Sequence, residues 1–184
     1  MARKAYIACL TPKTPELRDT LADQNSRYTD DSGFVAHVKQ EAFVEITRLM
    51  RDGTLAKEPL TLSLEVDEDF GFIRPELASV SDPFVAVTEL YYKPGKGSEA
   101  LRHLRAAGVS KEESGTLGVS LYADPNDADT LRLVGVYESQ DYWANIHSKS
   151  PQALEFQSAT QDMLTNVKAH VLSPISGYLY KAET

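Results

Sequence analysis

The chain has 184 residues, of which 42% are hydrophobic and 25% charged; this is an ordinary balance for a folded protein, and the length suits one domain or two compact ones. Nineteen basic against twenty-seven acidic residues leave a formal charge of −8, and the densest basic stretch, Arg102, Arg105 and Lys111, is diluted by Glu99, Glu112 and Glu113. No nucleic acid partner is expected, since a polyanion needs a concentrated cationic stripe, and no membrane partner, since no apolar run approaches the roughly 20 residues of a spanning helix.

Cys9 is the single cysteine, so an internal disulfide and a thiolate-built metal site are both excluded. The basic beginning Ala2-Arg3-Lys4 resembles the start of a signal peptide, but the apolar segment behind it ends at Pro12 and Lys13. It reads instead as a first strand, with a cytoplasmic location expected.

Ala5, Ile7 and Cys9 alternate with Tyr6, Ala8 and Leu10, the period of a strand covered on both faces. Thr14 and Pro15 open a short helix ending near Asn25. A longer helix is expected from about Gly33 to Arg51, with Phe34, Val38, Ala42, Ile46 and Leu49 on one stripe and Gly53 as its stop. Leu60, Leu62, Leu64 and Val66 alternate with polar residues in a half-buried strand. Residues 74–83, with two prolines and two serines, have little periodicity and read as a linker. The expected domains are therefore 1–78 and 84–184.

The second half is more regular. A strand runs from Phe84 to Tyr92, and after the Pro94–Gly97 turn a helix runs from Ser98 to Ala107, stopped by Gly108. Leu117, Val119 and Leu121 lead to the Asp124-Pro125-Asn126-Asp127 turn, and Leu131 to Tyr137 returns as a hairpin. Ser139 caps the next helix, and Ser150-Pro151 restarts it with Leu154, Met163, Leu164 and Val167 on board. A last strand is expected from Val171 to Tyr180. The order strand, helix, strand, strand, helix, strand is the split βαβ of an α+β, ferredoxin-like antiparallel sheet with helices on one face. Its second face must meet water or another sheet, and a second sheet is expected.

The halves also resemble each other: the strand, Pro turn and helix from Lys4 to Leu21 match those from Phe84 to Leu104, and Tyr28 to Ile46 matches Tyr137 to Phe156 with one gap. The run Val85–Lys96, then Glu113–Ser139 with its Gly-Thr-Leu strand and Tyr-Glu-Ser turn, then Tyr142–Pro151 with a histidine before Ser-Pro, resembles an antibiotic biosynthesis monooxygenase domain of the dimeric α+β barrel superfamily. The resemblance covers Phe84 to Ala182, and the first half reads as a degenerate copy with no room for the two central strands. Gly135 departs from the pattern, because many members carry a glutamate there.

The resemblance implies a monooxygenase that oxidises a phenolic or anthrone-like polyketide with O₂ and no cofactor, in secondary metabolism. The implied partners are a small aromatic substrate and O₂, and the implied assembly is a homodimer or an intramolecular pseudo-dimer. Such chemistry needs a dry pocket, a proton acceptor and donors for an oxyanion. His147 matches the family's helix position, and an imidazole is the side chain suited to proton transfer near neutral pH, which makes it the candidate base; Glu89 is the candidate buried carboxylate. Trp143, four residues before His147, shares its helical face. Asn145 and Tyr142 sit beside them, and Tyr91, Tyr122 and Tyr137 are expected to line the same cavity from the strands. The alternative is a ligand-binding or assembly module that kept the barrel and lost the chemistry. The haem-degrading branch uses an asparagine on the first strand, and neither candidate strand here has one.

Overall fold

The computed structural model describes residues 4–9, 24–28, 35–36, 38–40, 44, 47–48, 50–54, 60–108 and 112–172. The chain divides into two compact units, Met1–Val66 and Asp67–Thr184. The division falls inside a strand rather than at residues 74–83, because the end of that strand contributes Phe70 to the core of the second unit.

In the first unit, β1 (Lys4–Cys9) pairs antiparallel with β2 (Gln24–Tyr28) and with the start of β3 (Leu60–Ile73), placing Lys4 opposite both Tyr28 and Glu65. The strand at Gln24–Tyr28 corrects the expectation of a helix running to Asn25. The long helix expected from Gly33 to Arg51 is not continuous: Val35, Ala36 and Val38 are helical, but Lys39 and Gln40 form a turn and a bend before helical residues resume at Val44. The chain turns again at Met50–Thr54, where Gly53 takes φ 75°, a left-handed conformation that glycine adopts freely.

The second unit orders its strands as the end of β3, then β5 (Thr116–Asp124), β6 (Asp127–Tyr137), β4 (Phe84–Tyr92) and β7 (Leu164–Leu172). The last four form the antiparallel ferredoxin-like arrangement, with one further strand added beside β5, and the sheet is not closed into a barrel. Helices α1 (Gly97–Ala107), α2 (Gln140–Asn145) and α3 (Pro151–Thr160) lie on one face. Their starts follow the sequence signals: the Ser139 hydroxyl accepts from Tyr142 N–H at 3.1 Å, and Ser150, followed by Pro151, accepts from Ala153 N–H at 3.3 Å. The hairpin turn closes at Pro125-Asn126, with Asn126 N–H donating to the Asp124 side chain at 2.9 Å, the local bond that favours Asx residues in turns.

Two expected features differ. α3 ends at Thr160, so Met163 lies in a turn and Leu164 and Val167 lie on β7, which spans Leu164–Leu172 rather than starting at Val171; residues 173–180 lie outside the described residues. The 74–83 stretch is held in place, not a slack linker: Arg74 Nε donates to Thr116 C=O at 2.9 Å, Arg74 N–H donates to Leu117 C=O at 2.8 Å, and Leu77 is buried in the turn Pro75–Ser79.

Strand register sorts the side chains. Ala86 opposes Gly135, Thr88 opposes Leu133 and Leu90 opposes Leu131, and this set faces the helices: Leu90, Leu131, Val119, Leu121 and Phe70 form one core with Ala100 and Leu104 of α1. The alternate set, Val85 with Val136, Val87 with Val134 and Glu89 with Arg132, must point to the other face. Val85, Val134 and Val136 are buried there as well, so the second face is covered rather than bare.

Candidate functional site

A cleft of about 670 Å³ opens between the helix-side face of the sheet and helices α2 and α3, within the usual range for small-molecule sites. Its floor is apolar, with Leu90, Val119 and Leu133 from the strands and Phe156 from α3. Tyr137 of β6, Trp143 of α2 and His147 of the following 3₁₀ turn, His147–Lys149, all line the cleft, and Gln152, Gln157 and Gln161 add polar groups to its wall. Trp143 packs on Phe84 with ring centroids 5.4 Å apart, and the rings of Tyr137 and His147 lie 4.7 Å apart. The i, i+4 spacing of Trp143 and His147 does place both on the cleft, even though the α-helix ends between them at Asn145.

His147 Nδ1 lies 2.8 Å from Glu113 Oε2, and the Thr116 hydroxyl donates to the same carboxylate at 2.8 Å. A carboxylate can only accept, so Nδ1 carries the hydrogen and Nε2 is the nitrogen with the free lone pair. Arg74 donates to the Glu113 carbonyl at 3.4 Å, and so ties the loop that carries the carboxylate to the end of β3. Glu113 is the partner of His147 that sequence reasoning missed: it enters there as a charge that dilutes a basic stretch and as the first residue of the run to Ser139, with no contact to a histidine foreseen. Its position before the Gly115-Thr116 strand start carries no periodic signal pointing to a histidine on a later helix.

Tyr137 is only 5% exposed. Burial first, then the Glu113 carboxylate and the neighbouring Tyr142, push its phenol well above the usual tyrosine value, so the group is neutral across the physiological range. Tyr142 stands next to the cleft rather than in it, packed against the Phe84, Ala86 and Tyr137 cluster. Asn145 faces the surface, where it donates to Asp141 at 2.7 Å and accepts from Lys149 at 2.9 Å.

Glu89, Tyr91 and Tyr122 do not join His147. Glu89 and Tyr122 are each paired across the sheet with Arg132, and Tyr91 shares their face by strand alternation. There Arg132, 6% exposed, lies 3.5 Å from Glu89 and 3.1 Å from Asp124, and the Tyr91 hydroxyl donates to Glu89 at 2.5 Å. These residues form a polar network on the opposite side of the sheet from the cleft. Among the described residues, no three of the His, Cys, Asp and Glu side chains are gathered to hold a metal ion, and no helix is long and apolar enough to cross a membrane.

The family model for antibiotic biosynthesis monooxygenases matches residues 83–159, the segment that carries β4 through α3 and, with them, Tyr137, Trp143 and His147. Residues 83–159 are thus similar to an antibiotic biosynthesis monooxygenase domain. No curated protein matches the chain. Among solved structures, a protein of Fusobacterium nucleatum provisionally named as a monooxygenase superposes with a TM-score of 0.73 at 17% identity, over 95% of this chain and 93% of its own. A Lactobacillus acidophilus protein with the same provisional name gives 0.69 at 10% identity over 93% of each chain. A third, described as an anthrone oxidase-like protein, gives 0.60 at 11% identity over 94% of each. At these identities the likeness is one of fold, and within that fold the matched segment places its cleft between the sheet and α2–α3.

Proposed function

We propose that the second unit oxidises a flat phenolic or anthrone-like aromatic substrate with O₂, without a cofactor, in the cleft beside His147. The observation that carries this is the convergence of His147, Trp143 and Tyr137 on one cleft whose floor is apolar. His147 Nε2, its tautomer set by Glu113, takes the proton that makes the ring electron-rich. The deprotonated ring then reduces O₂, and a ring CH₂ leaves as C=O with one molecule of water, so that O₂ supplies both oxygen atoms of the products. The apolar floor keeps water from competing for the reactive intermediate. That the first unit is a degenerate copy, and that the protein works as a homodimer or an intramolecular pseudo-dimer, remain part of this proposal; the mass in solution tests the homodimer.

Oxygen uptake with an anthrone in metal-free buffer is the direct experiment. Uptake that disappears in His147→Gln is expected. Uptake no greater than the buffer rate, with ligand binding intact, would leave the second reading, a binding module, in its place.

A further inference from the structure

Gly135 and Tyr137 lie on the same strand and the same face, two residues apart. A Cβ built on Gly135 would fall 2.2 Å from the Tyr137 hydroxyl oxygen and 2.5 and 2.6 Å from ring carbons Cε2 and Cζ. The tyrosine therefore folds back along its own strand, and its phenol occupies the space a side chain at 135 would need. The notch that receives it is floored by two small residues, Gly135 and the opposing Ala86.

Tyr137 lines the cleft, and its hydroxyl makes no hydrogen bond among the described residues; the Glu113 carboxylate acts on it through its charge. A ligand oxygen that accepts the hydrogen forms a bond the protein does not supply, whereas a ligand that can only donate forms none. A carboxylate at position 135 would have the reverse preference, because an ionised carboxylate can only accept.

We propose that Tyr137, held over Gly135, selects ligands that present an acceptor oxygen, a ring ketone or phenolate, to this end of the cleft. The inference rests on the reading of the cleft as a site for flat aromatic molecules, and it narrows that class by the oxygen that must face Tyr137. A phenol that stays neutral well above pH 7 keeps its donor across the physiological range.

Trp143 is the single tryptophan of the chain and lines the cleft, so its fluorescence reports binding. Two probes of the same outline and charge, anthraquinone-2-sulfonate and anthracene-2-sulfonate, differ in the ring ketones alone. The wild-type protein is expected to bind the quinone roughly two- to twelvefold more tightly, the range one neutral hydrogen bond supplies. Tyr137→Phe should bring that ratio to about one, with the affinity for the hydrocarbon probe unchanged. Gly135→Ala, which displaces the ring but keeps the hydroxyl, should lower the ratio as well. Equal binding of the two probes by the wild type, a ratio that survives Tyr137→Phe, or an equal loss of both probes in that variant would each overturn the assignment while leaving the aromatic site in place. Failure of both probes to quench Trp143 would overturn the aromatic site itself, and this inference with it.

Discussion

The His147 imidazole and the Glu113 carboxylate meet at 2.8 Å across 34 residues of chain, one supplied by the turn after α2 and the other by the loop before β5. If this contact sets the tautomer of the base, Glu113→Gln should slow oxygen uptake by roughly 10- to 100-fold, as expected for loss of a group that orients another. His147→Gln should cost roughly 10²- to 10⁴-fold, the usual range for a general base. The isosteric Gln can still accept from Thr116, so circular dichroism should show an unchanged fold in the Glu113 variant. Full activity in both variants would remove His147 from the chemistry.

Phe84 is buried between Tyr137 and Trp143, with centroid separations of 6.4 and 5.4 Å. Phe84→Ala should destabilise the protein by about 3 to 5 kcal/mol in urea titrations. It should also shift Trp143 emission to the red as water reaches the indole. A stability loss under 1 kcal/mol would mean that this aromatic cluster is not part of the core.

Tyr92, 5% exposed, has a buried hydroxyl with no hydrogen bond of ordinary geometry among the described residues, and the adjacent Thr160 gives its hydrogen to the Phe156 carbonyl at 2.8 Å. Burial pushes Tyr92 up to about 12, with Thr160 pulling the other way. A group whose value is raised on folding adds stability that is fully present below its unfolded value of about 10 and is lost as the pH climbs towards 12. Because the buried hydroxyl lacks a good partner, Tyr92→Phe should be neutral or stabilising by up to about 1 kcal/mol at pH 7. The same variant should flatten the fall in urea midpoint between pH 10 and 12. A large loss of stability at pH 7 would show that the hydroxyl has a partner.

Asp129 accepts from the Gly95 and Gly97 N–H groups at 2.8 Å each, and those backbone bonds, Gly97 first, hold its carboxyl below the usual aspartate value. A depressed value makes the contribution present above the unfolded value of about 3.9 and lost as the pH falls through the folded one. Asp129→Ala should lower Tm at pH 7, and the gap from wild type should narrow progressively in acid below pH 4. The same turn explains a second intolerance: a Cβ on Gly97 would lie 1.9 Å from the Ala128 carbonyl oxygen, so Gly97→Ala should destabilise the β6–α1 junction at every pH. Equal melting curves for Gly97→Ala and wild type would show that the junction can open without cost.

Most of the second unit was legible because alternation, Pro-Gly punctuation and Ser caps agree with one another there. β4, the Asp124–Asp127 turn and the starts of α2 and α3 fall where those signals put them. β7 was misread because Met163, Leu164 and Val167 fit helical spacing as well as strand spacing, and no Gly or Pro marks the stop after Thr160. The site was half legible for a related reason. Alternation tells which strand residues share a face, so Glu89 was rightly grouped with Tyr91, but it does not say which face the helices cover. Register with Arg132 puts that pair on the far side of the sheet from His147. Contacts made by irregular segments, such as Glu113 with His147 and Arg74 with Thr116, leave no periodic trace at all.

The back-folded ring of Tyr137 also bears on how this cleft can change over generations. A bulky residue at 135 and a tyrosine tucked against that position exclude each other physically, so the two sites are epistatic: a large side chain is tolerated at 135 only once the Tyr137 ring has left the notch. A lineage exchanging one recognition chemistry for the other must therefore pass through an intermediate in which neither group occupies the notch.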